Sequence, residues 1–151
     1  MFSKLWKAPS NAVMPESFEF EIPRQTREPL RFNGRLEFES NGCDVGTYRF
    51  GDPYHRLRLY KLLSAGYAAI VEFHLAADTF IVDAAIVDST SDVDDFFCLH
   101  AGDQFHRLAL HGDIDAEPDK ELERRVLACY DRQLLELMNH LEKINDGRAN
   151  S

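Results

Sequence analysis

His55-Arg56-Leu57-Arg58-Leu59-Tyr60-Lys61-Leu62-Leu63-Ser64-Ala65-Gly66-Tyr67-Ala68-Ala69-Ile70-Val71-Glu72-Phe73-His74-Leu75 reads as two strands and the turn between them. Leu57, Leu59 and Leu63 alternate with Arg56, Arg58 and Leu62, the period of two that sends successive side chains to opposite faces of a strand. Ser64-Ala65-Gly66 breaks the pattern, and Gly66 supplies the positive φ that a short hairpin loop needs. The chain then resumes as Tyr67 to Phe73, so the two runs pair antiparallel.

Working outward, Thr79 to Val87 is apolar on both faces apart from Asp83, which predicts a third strand in a central position of the sheet. On the N-terminal side, Phe18-Glu19-Phe20-Glu21-Ile22 alternates apolar and acidic residues until Pro23 ends it. Leu30 to Glu39 is a further strand candidate, in which Gly34 marks a bulge or a tight turn that splits it in two. Ser40-Asn41-Gly42 reads as a turn.

Past the strands the period changes. Ser89-Thr90-Ser91 followed by Asp92-Val93-Asp94-Asp95-Phe96-Phe97-Cys98-Leu99 predicts a capped short helix near 91–101 that Gly102 ends. Gln104 to His111 fits neither period and reads as strand or irregular chain. From Pro118 to Asn145, Leu122, Val126, Cys129, Tyr130, Leu134, Leu137, Leu141 and Ile144 recur at spacings of three and four, with Asp115 or Glu117 as the cap. A single apolar stripe needs a partner surface, and the sheet is the one available. The expected fold is α+β: an antiparallel meander of about five or six strands, a short helix, and a long C-terminal helix packed on one face. Residues 1–16 read as an N-terminal arm, 17–145 as a single domain and 146–151 as a disordered tail.

The 151 residues are 44% hydrophobic and 28% charged, the balance of a chain that buries a core without a disulfide staple. Cys43, Cys98 and Cys129 are odd in number and widely spaced, which fits a reducing compartment. No apolar run is long enough for a membrane span, and Met1 to Lys7 lacks the apolar stretch of a secretory signal, so a cytoplasmic location without membrane contact is expected.

Charge is uneven. Residues 1–75 hold 10 Lys and Arg against 9 Asp and Glu, whereas residues 76–151 hold 7 against 17, for a net charge of −9. Such a chain repels phosphate backbones and attracts basic surfaces. The densest acid is Asp113, Asp115, Glu117, Asp119, Glu121 and Glu123, one at every second position. That row would imitate a line of phosphates or dock a basic protein, and its members near a helix start also offset the helix dipole by up to about 1 kcal/mol each.

Other constellations point to chemistry with less force. His100, Asp103, His106, His111 and Asp113 combine imidazole and carboxylate, the donor set of a zinc-like ion that activates water, although their spacing matches no helical metal signature. Cys98 near His100 has the residue types of a thiol nucleophile, but it sits in the apolar run Phe96 to Leu99, where a buried inert thiol is expected. Asp88 to Asp95 is rich in oxygen yet lacks the glycine and distal glutamate of a calcium loop, with Val93 and Leu99 in their places. Arg56, Arg58 and Tyr60 share a strand face of the kind that binds single-stranded nucleic acid, against which stands the net charge. The glycines are dispersed and build neither a phosphate loop nor a dinucleotide fingerprint, so no cofactor is expected.

Phe32-Asn33-Gly34-Arg35-Leu36, with Leu57-Arg58-Leu59-Tyr60-Lys61 and Gly66-Tyr67, resembles small bacterial proteins of the EXLDI type over about 40 residues. Lys61 and Leu62 stand where that family carries Arg and Thr. The resemblance implies a bacterial accessory protein and no particular chemistry. Taken together, the residues lead to a non-catalytic acidic protein of bacterial or mobile-element origin that binds a protein partner, for instance as an inhibitor in a nucleic-acid-binding groove. The competing expectations are a small metal-dependent hydrolase built on the histidine cluster and single-stranded nucleic-acid binding through the basic sheet face. A long helix projecting beyond the sheet also suggests a homodimer through that helix.

Overall fold

The structure, a computed structural model, describes residues 18–23, 28–46, 49–75, 79–100 and 119–149. Among the described residues five strands come first: β1 (Phe18–Ile22), β2 (Leu30–Asn41), β3 (Tyr54–Leu62), β4 (Tyr67–His74) and β5 (Thr79–Val87). Two helices follow among the described residues, α1 (Thr90–Leu99) and α2 (Lys120–Ala149), and a 3-10 turn at Gly42–Asp44 follows β2. The strands form one antiparallel sheet in the order β1-β2-β3-β4-β5, an α+β meander.

The hairpin pairs Tyr54 with His74 through to Lys61 with Tyr67. Strand β3 stops at Leu62, so Leu63 lies in the turn and is exposed instead of extending the alternation. At the turn Gly66 has φ +90°, and its carbonyl accepts from the Leu62 N–H at 3.1 Å. A Cβ there would meet the Val87 carbonyl oxygen at 2.4 Å, so the position takes only glycine.

Two expectations about the strands need correction. Gly34 does not divide β2, which runs unbroken through it; the backbone of β3 passes so close that a Cβ would sit 2.6 Å from the Lys61 oxygen. The register slips instead between Leu36 and Phe38, and the slip moves the strand's apolar residues from one face of the sheet to the other. Strand β5 lies at the edge of the sheet, not at its centre. Its two-sided apolar pattern arises because Ala85 and Val87 pack on the helix side while Ala84 packs on the opposite side, which needs two cores and not two neighbouring strands.

On the helix side, Leu57, Leu59, Ala69 and Val71 meet Val93, Phe96 and Phe97 of α1 and Tyr130, Leu134, Leu137 and Leu141 of α2. The predicted stripe is the buried face of α2, and each fully buried leucine contributes about 2 kcal/mol. Helix α2 begins at Lys120, capped by Asp119, whose Oδ1 accepts from the Leu122 N–H at 3.1 Å; this replaces Asp115 and Glu117 as the cap. It continues past Asn145 to Ala149. Polar links fix it to the rest: Gln133 Nε2 donates to the carbonyls of Ser40 at 3.0 Å and His55 at 2.8 Å, and the Tyr130 hydroxyl donates to the Phe97 carbonyl at 2.7 Å.

The opposite face carries a second cluster of Ile22, Phe32, Tyr60, Ala68, Ile70 and Ala84, on which Phe20 packs with its ring stacked on Phe32 at 5.3 Å and tilted against Tyr60 at 4.5 Å. Its polar end is buried Glu72, which pairs with Arg58 and with His74 Nε2 at 2.8 Å.

Candidate functional site

Ser89, two residues past the end of β5, starts α1: its hydroxyl accepts from the Asp92 N–H at 3.1 Å. That cap fixes the helix rotation, so Val93, Phe96 and Phe97 turn into the core. Asp92 and Asp95 are left exposed, and Asp94 is half-buried at the lip of α1. Helix α2 runs alongside in the opposite sense, since Thr90 of α1 meets Asn145 near the end of α2 while Phe97 meets Tyr130 nearer its start.

Between the two helices lies a groove of about 490 Å³ of open space, lined by Thr90, Ser91 and Asp94 of α1 and by Met138, Leu141 and Glu142 of α2, with Asn145 at its end. The Thr90 hydroxyl, donating to Asn145 Oδ1 at 3.1 Å, closes that end. The floor is apolar, and the two walls carry one carboxylate each. Met138 is 42% exposed and Leu135, one turn away on the same face of α2, is 56% exposed. No cation among the described residues pairs with Asp88, Asp92, Asp94, Asp95 or Glu142.

The sheet behaves differently. Arg56, Arg58 and Tyr60 do share one face of β3, as the alternation predicts, but Glu39 of β2 clasps Arg56 and Glu72 of β4 clasps Arg58. Arg58 also donates to the Tyr60 hydroxyl at 3.0 Å. The guanidinium groups are thereby occupied by carboxylates of the sheet itself, and Arg31 is likewise held by Glu21.

Of the acidic row, Asp113, Asp115 and Glu117 lie outside the described residues. Asp119 is the cap of α2, and Glu121 takes two bonds of 2.7 Å from Arg124, which hold its carboxyl below the usual carboxylate range. Glu123 is half-buried. Of the metal-like set, Asp103, His106, His111 and Asp113 also lie outside the described residues. His100 lies within them, with Nε2 3.3 Å from Asp83 Oδ2 and its ring edge-on to Phe96. No group of three or more metal-ligating side chains occurs among the described residues. Cys98 is exposed, not buried as its apolar neighbours predict; partial burial of its sulfur, with Asp94 accepting from the thiol at 3.5 Å, pushes its pKa up, away from a nucleophile. Asp88 to Asp95 forms the strand exit, cap and first turn of α1 instead of an ion loop.

The sequence reading missed the groove. Its one trace is that Leu135 and Met138 fall outside the buried stripe of α2, two large apolar residues with no partner in the helical pattern. No helix among the described residues is long and apolar enough to cross a membrane. No protein-family model, curated protein or solved structure matches the chain.

Proposed function

We propose that this chain is a non-catalytic acidic interaction protein that captures a basic protein partner. The observation that carries the reading is an excess of unpaired acid around α1 and the groove beside it: Asp88, Asp92, Asp94, Asp95 and Glu142 have no cation partner among the described residues, while Arg31, Arg56 and Arg58 of the sheet are neutralised in place. Unpaired surface charge of one sign steers an oppositely charged partner and sets the rate at which it docks. Asp113, Asp115 and Glu117 would extend the same acidic field along the chain towards Asp119. One form of such capture is inhibition, with the carboxylates standing in for phosphates in a nucleic-acid-binding groove of the partner. A bacterial or mobile-element accessory protein fits this role.

The test is charge reversal in two sets. Asp88, Asp92 and Asp95 are replaced together by Lys in one variant, and Asp115, Glu117, Asp119 and Glu121 in the other. Partner capture from the source cell on the immobilised protein is then followed across a salt series. Loss of capture and of its salt dependence in either variant supports the reading; undiminished capture by both ends it.

A further inference from the structure

The groove between α1 and α2 says more about the partner than its charge does, because it joins an apolar floor to acidic walls. Met138 and Leu141 supply its apolar lining, Asp94 lines it from α1 and Glu142 from α2, and Leu135 extends the exposed apolar surface by one turn of α2. Asp88, Asp92 and Asp95, neighbours of the lining residues in sequence, add negative charge, against which the closing turns of α2 carry Lys143 and Arg148. A ligand that fits must therefore bring hydrocarbon to the centre and cations to both edges.

We propose that this groove seats an amphipathic basic helix of the protein partner, its apolar stripe over Met138, Leu141 and Leu135 and its Lys or Arg side chains against Asp94 and Glu142. This rests on the acidic-capture function above and names the element captured. A slot between two roughly antiparallel helices admits a third helix in the way amphipathic helices enter apolar grooves elsewhere. The 10 residues of α1 give a wall of about 15 Å, enough for roughly three turns of such a helix. A second copy of this chain fits less well, since a two-fold axis through the groove would bring Asp94 and Glu142 of one copy towards the same carboxylates of the other. An anionic lipid surface is repelled by the same walls.

The probe is a fluorescein-labelled Leu/Lys peptide about 18 residues long, patterned to form five amphipathic turns. Its controls are a Leu/Glu peptide of the same pattern and a Leu/Lys peptide of scrambled order, all titrated with the full chain by fluorescence anisotropy. The patterned Leu/Lys peptide is expected to bind at least tenfold more tightly than either control. Met138→Glu, and Asp94→Lys combined with Glu142→Lys, are each expected to weaken it tenfold or more, while Asp44→Lys on the 3-10 turn leaves it unchanged. Circular dichroism melts check folding, and Met138→Ala, which shortens the side chain without adding charge, is expected to weaken binding about threefold if Met138→Glu melts early. Equal binding of the three peptides overturns the proposal, as does binding that ignores the groove substitutions. If the groove substitutions are silent but reversal of Asp88, Asp92 and Asp95 abolishes partner capture, the groove assignment fails and acidic capture stands. If capture is also insensitive to those reversals and to salt, both fail. A dimer in sedimentation that Met138→Glu converts to monomer assigns the groove to a second copy instead.

Discussion

Arg125 grips Asp52 through two near-parallel hydrogen bonds, Nε to Oδ2 at 3.0 Å and Nη2 to Oδ1 at 3.1 Å, and so ties the first turns of α2 to the loop ahead of β3. Bidentate geometry of this kind is the stronger form of an ion pair.

The hydrogen bonds from Arg125 hold the Asp52 carboxyl below its ordinary value of 3.8. Between the lowered and the ordinary value the unfolded chain binds the proton and the folded chain does not. The stabilisation is therefore complete above the ordinary value and is lost as pH falls through the folded one. Asp52→Asn is expected to lower Tm by a few degrees at pH 7, with the gap to the parent protein closing as melts are repeated towards pH 2. An equal gap at both pH values would remove the charged pair as its cause.

Glu72 is buried on the central part of the sheet against Arg58 and His74. Removing one member of a buried pair strands the other, so Glu72→Ala is expected to cost about 3 kcal/mol or more in urea unfolding. Replacing Glu72 and Arg58 together by Met is expected to cost distinctly less than the sum of the two single changes. Additive losses would show that the pair is not coupled.

Gln133 is fully buried, and its amide nitrogen serves carbonyls on two adjacent strands. Gln133→Met keeps the volume and withdraws both bonds, with an expected loss of about 2–4 kcal/mol by chemical denaturation. A loss below about 0.5 kcal/mol would mean that water takes over the two carbonyls.

Gly51 and Gly66 share φ +90°, but only at Gly66 does a Cβ find an obstacle, the Val87 oxygen at 2.4 Å. Gly51→Ala is expected to cost about 1–2 kcal/mol from backbone strain, and Gly66→Ala clearly more. Equal losses would leave the conformation alone responsible, without the steric contact.

The hairpin and α2 were legible in the sequence because each rests on a period that local geometry imposes: two at Leu57 and Leu59, three and four from Val126 to Leu141. The slip in β2 was not. Leu36 and Phe38 stand two apart and read as neighbours on one face, yet Leu36 pairs with Tyr60 of one core and Phe38 with Leu59 of the other. A bulge is set by what the partner strand offers, which alternation does not encode. The edge position of β5 was hidden for a related reason, since apolar residues on both faces report two covers and not two flanking strands. The groove is harder still: Asp94 and Glu142 are 48 residues apart and ordinary helix-surface acids until the helices lie side by side. The Asp119 cap shows the limit in small form, where several short polar residues in a row left the helix start undecided between neighbours.

Because the register slip in β2 reverses which face its side chains point to, the same backbone anchors Phe32 among the aromatic rings on one side and Phe38 against the helical layer on the other. Neither layer separates without pulling on that shared strand. Loosening under heat or denaturant is thereby communicated across the sheet, and the protein is built to unfold in one concerted step, with amide exchange in the two layers slowing and quickening together.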